Sequence, residues 1–228
     1  MQVWFNRIFS FFMLCCVLFL FSGCHAEAVH DSFIDELTFL GDSTTAHMQQ
    51  RSSLRPEQIW ATKERYLNLD PRITYTRIVA PDTGKEEPIA EVAARLSPRY
   101  LVLTLGVDYG VYYYRDKPLE FRHYYEKLLD VICEASPETV LVLQAIFPVS
   151  RESTVITNEM IKKANAIIQE IAATRNLCFA DQTAILSDAD GYLKPSYCYS
   201  ADGIHLSSAA YAAILDHLKS IESEIRRT

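Results

Sequence analysis

Two short stretches of the sequence contain the residue types of nucleophilic acyl transfer, and the first is TFLGDSTTAH at 38–47. An apolar run ends at Gly41 and is followed by Asp42 and Ser43. A serine hydroxyl here could attack a carbonyl carbon if a nearby base accepted its proton. Serine is also common as an N-cap, where its side-chain oxygen accepts one of the first N–H groups of a helix. This stretch alone leaves both interpretations of Ser43 open.

The second stretch is YSADGIHLSSAAY at 199–211, where Asp202 and His205 stand three residues apart before the last amphipathic segment. A tight turn would present both side chains together, and the carboxylate could then orient the imidazole as in a Ser-His-Asp triad. The alternative is an ordinary Asp-Gly turn with a surface histidine and Ser207 as the N-cap of the final helix. Taken together, the two stretches favour a catalytic serine, Ser43, with His205 as its base.

The elements that must position these residues alternate between strand and helix patterns. Apolar or alternating runs predict strands at 37–40, 72–79, 100–106, 139–147 and 177–181. Between and after them, apolar residues recur at helical spacing in four segments, which begin near Ile89, Phe121, Met160 and Tyr211. This alternation predicts one α/β domain, a three-layer α/β/α sandwich around a five-stranded parallel sheet.

Functional residues of such sheets gather beyond the carboxyl ends of the strands. That rule brings the loops after the first, third and fourth predicted strands to one edge. The chain has only seven glycines. Four of them fall in loops assigned to this edge, where backbone must approach closely or adopt positive φ: Gly41, Gly84, Gly106 and Gly203. The edge is therefore the predicted site.

The sequence resembles the SGNH (GDSL-type) hydrolase family in these two stretches, and the resemblance extends over essentially the whole region after the N-terminal segment. GDS at 41–43 matches the nucleophile block of that family, and DGIH at 202–205 matches its Asp-x-x-His block. LGVDYG (105–110) falls where the family has Gly-x-Asn, and APDTGKEEP (80–88) falls where it has a second glycine. The resemblance implies a flavodoxin-like sheet of strand order 2-1-3-4-5 and hydrolysis of carboxylic esters.

The resemblance also implies a role for each matching residue. Ser43 would be the nucleophile, His205 the general base and Asp202 the group that orients the imidazole. The oxyanion hole would consist of the backbone N–H groups of Ser43 and Gly84, and of the side chain at position 108. No cofactor is expected, and no metal-ligand spacing occurs in the sequence.

Position 108 departs from the family, because it is Asp108 where the family has asparagine. An ionised carboxylate only accepts hydrogen bonds and cannot donate one to an oxyanion. Three interpretations follow: a protonated Asp108 that donates, an Asp108 that points elsewhere while Tyr109 or another backbone N–H takes its place, or a catalytically silent protein that only binds. The sequence does not choose among them.

Three further residues are candidates for contacts with the substrate: Tyr109, Tyr112 and Gln144. The two tyrosines belong to YGVYYYRDK (109–117), where aromatic rings would suit the faces of a sugar, although ordinary packing of a loop explains them equally well. Gln144 begins QAIFPV at 144–149. His47, one helical turn after Ser43, could face the same cleft, but Asp202 gives His205 the stronger claim as base.

The N-terminal segment is typical of exported proteins. Arg7 precedes an apolar stretch from 8 to 21, too short to span a bilayer, and FSGC at 21–24 is similar to a lipoprotein cleavage site. We expect a lipoprotein-type signal peptide at 1–23, lipid attachment at Cys24, a short tether at 24–36 and the hydrolase domain at 37–228. An uncleaved anchor helix is the alternative. Either way, the protein is expected to work outside the cytoplasm, lipid-anchored at the cell membrane.

Composition limits the partners. A net charge of −7 argues against nucleic acid and anionic lipid surfaces. Cys133, Cys178 and Cys198 could form at most one disulfide and more simply serve as small buried hydrophobes. We expect a monomer that removes small acyl groups, acetyl above all, from a saccharide or cell-wall glycan. An acyltransferase with the same serine intermediate and a non-catalytic glycan-binding lipoprotein are the rival functions.

Overall fold

The computed structural model describes residues 32–228, and it describes the backbone but not the side chains of Ser32, Asp108 and Tyr109. Within that range, five strands form one parallel sheet: β1 (Leu37–Gly41), β2 (Ile59–Trp60), β5 (Tyr100–Thr104), β6 (Val140–Gln144) and β7 (Cys178–Ala180). They lie in the order β2-β1-β5-β6-β7, which is 2-1-3-4-5 when the sheet strands alone are counted. The predicted α/β class with a five-stranded parallel sheet is confirmed.

The second sheet strand is not where the sequence pattern places it. We predict it at 72–79, but a 3₁₀ turn occupies Ile73–Tyr75. Strand β3 (Arg77–Val79) pairs antiparallel with β4 (Glu86–Pro88), outside the main sheet. The edge strand β2 is only two residues long. A strand of two residues has no alternation to detect, so hydrophobic periodicity could not find it.

Helices cover both faces of the sheet. Their bounds are α1 (Ser32–Glu36), α2 (Ser43–Arg51), α3 (Ile89–Leu96), α4 (Pro118–Ala135), α5 (Asn158–Arg175), α6 (Thr183–Leu186), α7 (Ser208–Ser220) and α8 (Glu222–Ile225). The four predicted helical stripes fall on α3, α4, α5 and α7, and each begins at or near the residue that the pattern indicates.

Two hydrophobic cores hold the three layers together. Side chains alternate along a strand, so Leu101 and Leu103 of β5 pack with α3, α4 and α5, whereas Tyr100 and Val102 pack with the terminal helices. Helix α1 belongs to the second core, because Phe33 is buried there. The packed domain therefore includes residues 32–36, the last part of the segment 24–36 that we expect from the sequence to be a tether.

The expected signal peptide and Cys24 lie outside the described residues. Within residues 32–228, no helix combines the length and the apolar character that crossing a membrane requires.

Candidate functional site

Ser43 lies at the carboxyl edge of the sheet, at the first position of α2, two residues after β1 ends. The N-cap is Asp42, whose side chain accepts the N–H of Thr44. Gly41 is required for the close approach of backbone here, because a Cβ would lie 2.3 Å from the carbonyl oxygen of Thr104. The capping role that the sequence allowed for Ser43 thus belongs to Asp42, and the Ser43 hydroxyl is left for other contacts.

Asp42 joins the serine loop to the loop after β5. The residue is buried, with 3% of its surface exposed. One oxygen accepts the backbone N–H and the hydroxyl of Thr44, at 3.1 and 2.7 Å. The other accepts the backbone N–H groups of Gly106 and Val107, both at 3.3 Å. A single buried carboxylate therefore fixes the start of α2 against the segment that leads into position 108.

This arrangement predicts a large stability loss for Asp42→Asn. The amide group replaces one accepting oxygen, so either the Thr44 donors or the two loop N–H groups lose a buried partner. We expect the free energy of unfolding in urea to fall by about 2–4 kcal/mol, because buried unsatisfied donors are costly. Asp116→Asn, at a side chain that is 84% exposed, is the control and should change stability little. An unaltered unfolding midpoint for Asp42→Asn would contradict the linking role.

His205 and Asp202 form a compact unit in the loop before α7. One carboxylate oxygen of Asp202 accepts the backbone N–H groups of Ile204 and His205, at 2.8 and 3.0 Å. The other lies 2.6 Å from His205 Nδ1. Between them, Gly203 has φ +71° and lies so close to Ser150 and Ser153 that a Cβ would collide with both. The Asp-Gly turn that the sequence indicates thus holds the imidazole in one orientation.

The imidazole connects this loop to the serine. Ser43 Oγ lies 3.3 Å from His205 Nε2, although the two residues are 162 positions apart in the chain. With Nδ1 donating to Asp202, Nε2 is the accepting nitrogen and faces the serine hydroxyl. Burial would raise the pKa of Asp202, but the hydrogen bonds from His205 and the Ile204 N–H outweigh it and hold that pKa well below its usual range. Asp202 is therefore ionised beside the imidazole.

His47 packs against the base. Its ring lies 4.6 Å from that of His205, centroid to centroid, in an edge-to-face arrangement. Its Nδ1 is buried and has no hydrogen-bond partner among the described residues. Burial is the largest of the effects that lower the pKa of His47 to about 4; the positive charges of His205, Arg51 and Arg65 act in the same direction, and Asp202 opposes them. His47 is therefore neutral at neutral pH and contacts the base without being placed as the base itself.

We expect His47→Phe to make the protein more tolerant of acid. In the wild type, His47 stays neutral in the fold down to about pH 4 but binds a proton below about pH 6.5 once unfolded. The unfolded state thus takes up more protons in that window, so the wild type loses stability as the pH falls from about 6.5 to 4. Phenylalanine keeps a ring against His205 and cannot titrate.

The measurement is urea unfolding of both proteins at pH 7.5 and pH 4.5. The stability of the variant should rise relative to the wild type at the lower pH. A difference between the two proteins that stays constant with pH would mean that His47 titrates normally.

Of the three predicted members of the oxyanion hole, one already makes another hydrogen bond. The backbone N–H of Gly84 donates to the carbonyl of Ala80 at 2.8 Å, so it is not free for an oxyanion, and this prediction is wrong for the conformation described. The Ser43 N–H stands at the start of a helix, where no intrahelical acceptor exists. Asp108 and Tyr109 lie in a π-helical turn, Val107–Tyr112, and their side chains are not described.

Of the remaining candidates for contacts with the substrate, Gln144 is buried and Tyr112 is exposed. Gln144 is 1% exposed, and its Oε1 accepts a hydrogen bond from the hydroxyl of Thr104. Gln144 is the last residue of β6, and this strand ends inside the core rather than at the surface. The side chain cannot touch a substrate in this position, so the prediction that Gln144 binds substrate is wrong. Tyr112 is 43% exposed, and the guanidinium of Arg115 lies over its ring.

Two arginines near the site have no counterpart in the sequence predictions. The Cζ of Arg51, on the same helix as Ser43, lies 3.3 Å from the ring centroid of Tyr199, and its guanidinium donates to the carbonyl of Leu206. Arg51 is eight residues after Ser43, so helical spacing could have indicated that it shares a face with His47. Arg65 lies in a loop after β2 and carries no sequence signal.

Within the part of the chain that the structure describes, no group of three or more His, Cys, Asp or Glu residues is arranged to hold a metal ion. Cys133, Cys178 and Cys198 are free thiols, and of these only Cys178 is fully buried. The expectation of small buried hydrophobes therefore holds for Cys178 and fails for exposed Cys133.

Comparison with known proteins places this geometry in context. The model of the GDSL-like lipase/acylhydrolase family matches residues 39–213. No curated protein matches the chain.

Three solved structures show the same fold. A GDSL-like lipase from Bacteroides thetaiotaomicron has 15% identity and a TM-score of 0.55, with 86% of this chain and 90% of that one covered. A Streptococcus pneumonia protein, provisionally described as a platelet activating factor, has 20% identity and a TM-score of 0.55, with 86% of each chain covered. A family two carbohydrate esterase from Clostridium thermocellum has 14% identity and a TM-score of 0.52, with 83% of this chain and 63% of that one covered.

Proposed function

The chain belongs to the GDSL-like lipase/acylhydrolase family, and on that premise we propose that it is a serine ester hydrolase with Ser43 as nucleophile. The observation that carries the proposal is the continuous contact from Ser43 Oγ through the His205 ring to the Asp202 carboxylate, at 3.3 and 2.6 Å. A serine, a base within hydrogen-bond reach and an acid that orients the base are the parts that acyl transfer requires.

The geometry supports a two-step reaction. Ser43 Oγ forms a bond to the ester carbonyl carbon while its proton passes to His205 Nε2. The tetrahedral intermediate collapses, the bond to the alcohol oxygen breaks, and that oxygen takes the proton from Nε2 as it leaves. Water then attacks the acyl-serine with His205 as base, and the carboxylic acid is released as Ser43 regains its proton. Ionised Asp202 stabilises the imidazolium that forms in each step.

We propose further that position 108 faces the oxyanion and that its carboxylate slows the reaction. The Ser43 N–H supplies one donor, and an asparagine amide would supply a second, which an ionised aspartate cannot. We therefore expect Asp108→Asn to raise kcat for 4-nitrophenyl acetate by about tenfold or more. Asp116→Asn is the charge-matched control. An unchanged or lower kcat would mean that Asp108 is not a defective oxyanion donor.

For the substrate, we propose a small acyl group, acetyl above all, on a saccharide. Tyr112 and Tyr113 support this, since both rings are exposed in the segment that follows position 108. The test compares acetate release from an acetylated oligosaccharide with hydrolysis of 4-nitrophenyl esters of increasing acyl length. Rates that rise with acyl length, or no release from the saccharide, would exclude this substrate. Transfer of acetyl to an added sugar acceptor instead of water would identify an acyltransferase.

We also propose export and lipid attachment at Cys24, which the composition of residues 1–24 supports. When the full sequence is expressed in a bacterial host, metabolic labelling with an alkyne fatty acid should mark the wild-type protein and fail to mark Cys24→Ala. Equal labelling of both proteins would exclude this residue.

A further inference from the structure

Arg65, near the site, carries a positive charge that has no carboxylate partner within residues 32–228. Arginines in residues 32–228 mostly pair with a carboxylate, as Arg55 does with Asp35 and Arg95 with Asp82. Arg51 and Arg65 form no such ion pair within that range. Arg51 instead lies over the Tyr199 ring and donates to the carbonyl of Leu206, so its guanidinium has partners within the protein. The exposed Arg65 side chain has no such partner among residues 32–228, and its charge is available to a ligand.

Arg65 lines a cleft beside the nucleophile helix. The cleft has a volume of about 310 Å³, and its walls include Ala46 and Gln49, one and two turns after Ser43 on α2. Lys63 and Arg65 contribute positive charge, while Glu57 contributes the opposing negative charge. Lys63 is 3.8 Å from Glu86 and so partly compensated. Arg65 is therefore the cation of this lining that forms no ion pair within the described residues.

The backbone holds Arg65 in a conformation that is unfavourable for its residue type. Its φ is +62°, the left-handed region, which costs a non-glycine residue roughly 1–2 kcal/mol. Thr62 maintains this turn, since its hydroxyl bonds both the N–H and the carbonyl of Tyr66, and its carbonyl accepts the Arg65 N–H at 3.0 Å. Glycine would relieve the strain, so the arginine at this position points to a function for its side chain.

The cleft borders the part of α2 that carries His47, because Ala46, the preceding residue, lines it. The charges of Arg51 and Arg65 both help to lower the pKa of His47, which contacts the ring of His205. A group bound at Arg65 would lie beside α2 without occupying the position of the ester carbon, because Ala46 and Gln49 of that helix line the cleft and Ser43 does not. This separation fits a second group on the substrate better than the oxyanion.

We propose that this cleft binds an anionic group, a carboxylate or a phosphate, carried by the ester substrate, with Arg65 as the residue that selects it. The inference rests on the proposed ester hydrolase and specifies its substrate as an acylated molecule with a negative charge near the ester. A guanidinium can bind either anion through two parallel hydrogen bonds.

The test measures binding to Ser43→Ala, which requires no turnover. The probes are 4-acetoxybenzoate and 4-acetoxyphenyl phosphate, each compared with neutral methyl 4-acetoxybenzoate by calorimetry at low salt. We expect at least one anionic probe to bind about tenfold more tightly than the neutral ester, as one charge-assisted contact allows. The preferred anion distinguishes carboxylate from phosphate, and added salt should weaken the preference.

Arg65→Gly in the same background removes the charge and the strain together, so this variant is expected to fold at least as well as its parent. It should abolish the preference, whereas Arg227→Ala, the same loss of charge at the distant C-terminus, should leave it intact. Glu57→Gln should strengthen it. Equal binding of all three probes, or a preference that survives in Arg65→Gly, would overturn the inference. Hydrolysis of the neutral ester by the Ser43 protein tests the proposed function separately.

Discussion

Replacement of Ser43 by alanine is expected to lower kcat for 4-nitrophenyl acetate by at least about 10³-fold, the range seen when the nucleophile of a catalytic triad is removed. The change deletes the one oxygen that faces His205 Nε2 at 3.3 Å. It leaves untouched the structural contacts of this loop, because Asp42 rather than Ser43 caps α2. Stability should therefore change little while the reaction is lost.

The control for this variant is Ser53→Ala, an exposed serine that follows α2. Both variants should unfold in urea close to the wild type, and only Ser43→Ala should lose turnover. If Ser43→Ala retained more than a tenth of wild-type kcat, the nucleophile would lie elsewhere.

Asp202→Asn is expected to lower kcat by about 10³–10⁴-fold at neutral pH, with a smaller change in KM. The amide can still accept the backbone N–H groups of Ile204 and His205, so the turn should survive. Its NH₂ group would face Nδ1, however, and would favour the tautomer that places the proton on Nε2. That nitrogen could then no longer accept the proton of Ser43.

The same variant has a distinct pH signature in stability. The depressed pKa of Asp202 means that its ionised form stabilises the fold above about pH 4, the usual value for an unfolded aspartate. This contribution falls as the pH drops below that value. The stability difference between wild type and Asp202→Asn should therefore shrink in acid, as measured by urea unfolding between pH 3 and pH 7. Retention of kcat in Asp202→Asn would show that His205 does not need this partner.

The sequence was most informative where long or chemically specific patterns occur. The apolar runs of β5 and β6 and the stripes on α4 and α5 predicted the layers, because a buried strand and an amphipathic helix each repeat over many residues. The pair Asp202 and His205 was predictable because a three-residue turn with glycine determines its own geometry. The meeting of His205 with Ser43 followed from topology, since both flank elements that end at one sheet edge.

Features set by tertiary contacts were not predictable in this way. The two-residue strand β2 exists because of its pairing with β1, not because of its composition. Gly84 matches the position where the family has a glycine, but its N–H donates to the carbonyl of Ala80 within the same turn. Two of the four hydrogen bonds that Asp42 accepts come from the backbone of the loop after β5, which is distant in sequence. A role for Arg65 could not be predicted from the sequence, because the residues around it indicate neither its positive φ nor its lack of an ion pair.

The most direct test of the central claim is covalent labelling of the full chain with a fluorophosphonate, followed by mass spectrometry of the peptides. Serine hydroxyls react with this probe when an adjacent base activates them. We predict one phosphonyl adduct, on Ser43, that is absent from Ser43→Ala and much slower to form in Asp202→Asn. No adduct on the wild type, or an adduct that persists in Ser43→Ala, would contradict the assignment of Ser43, His205 and Asp202 as a catalytic triad.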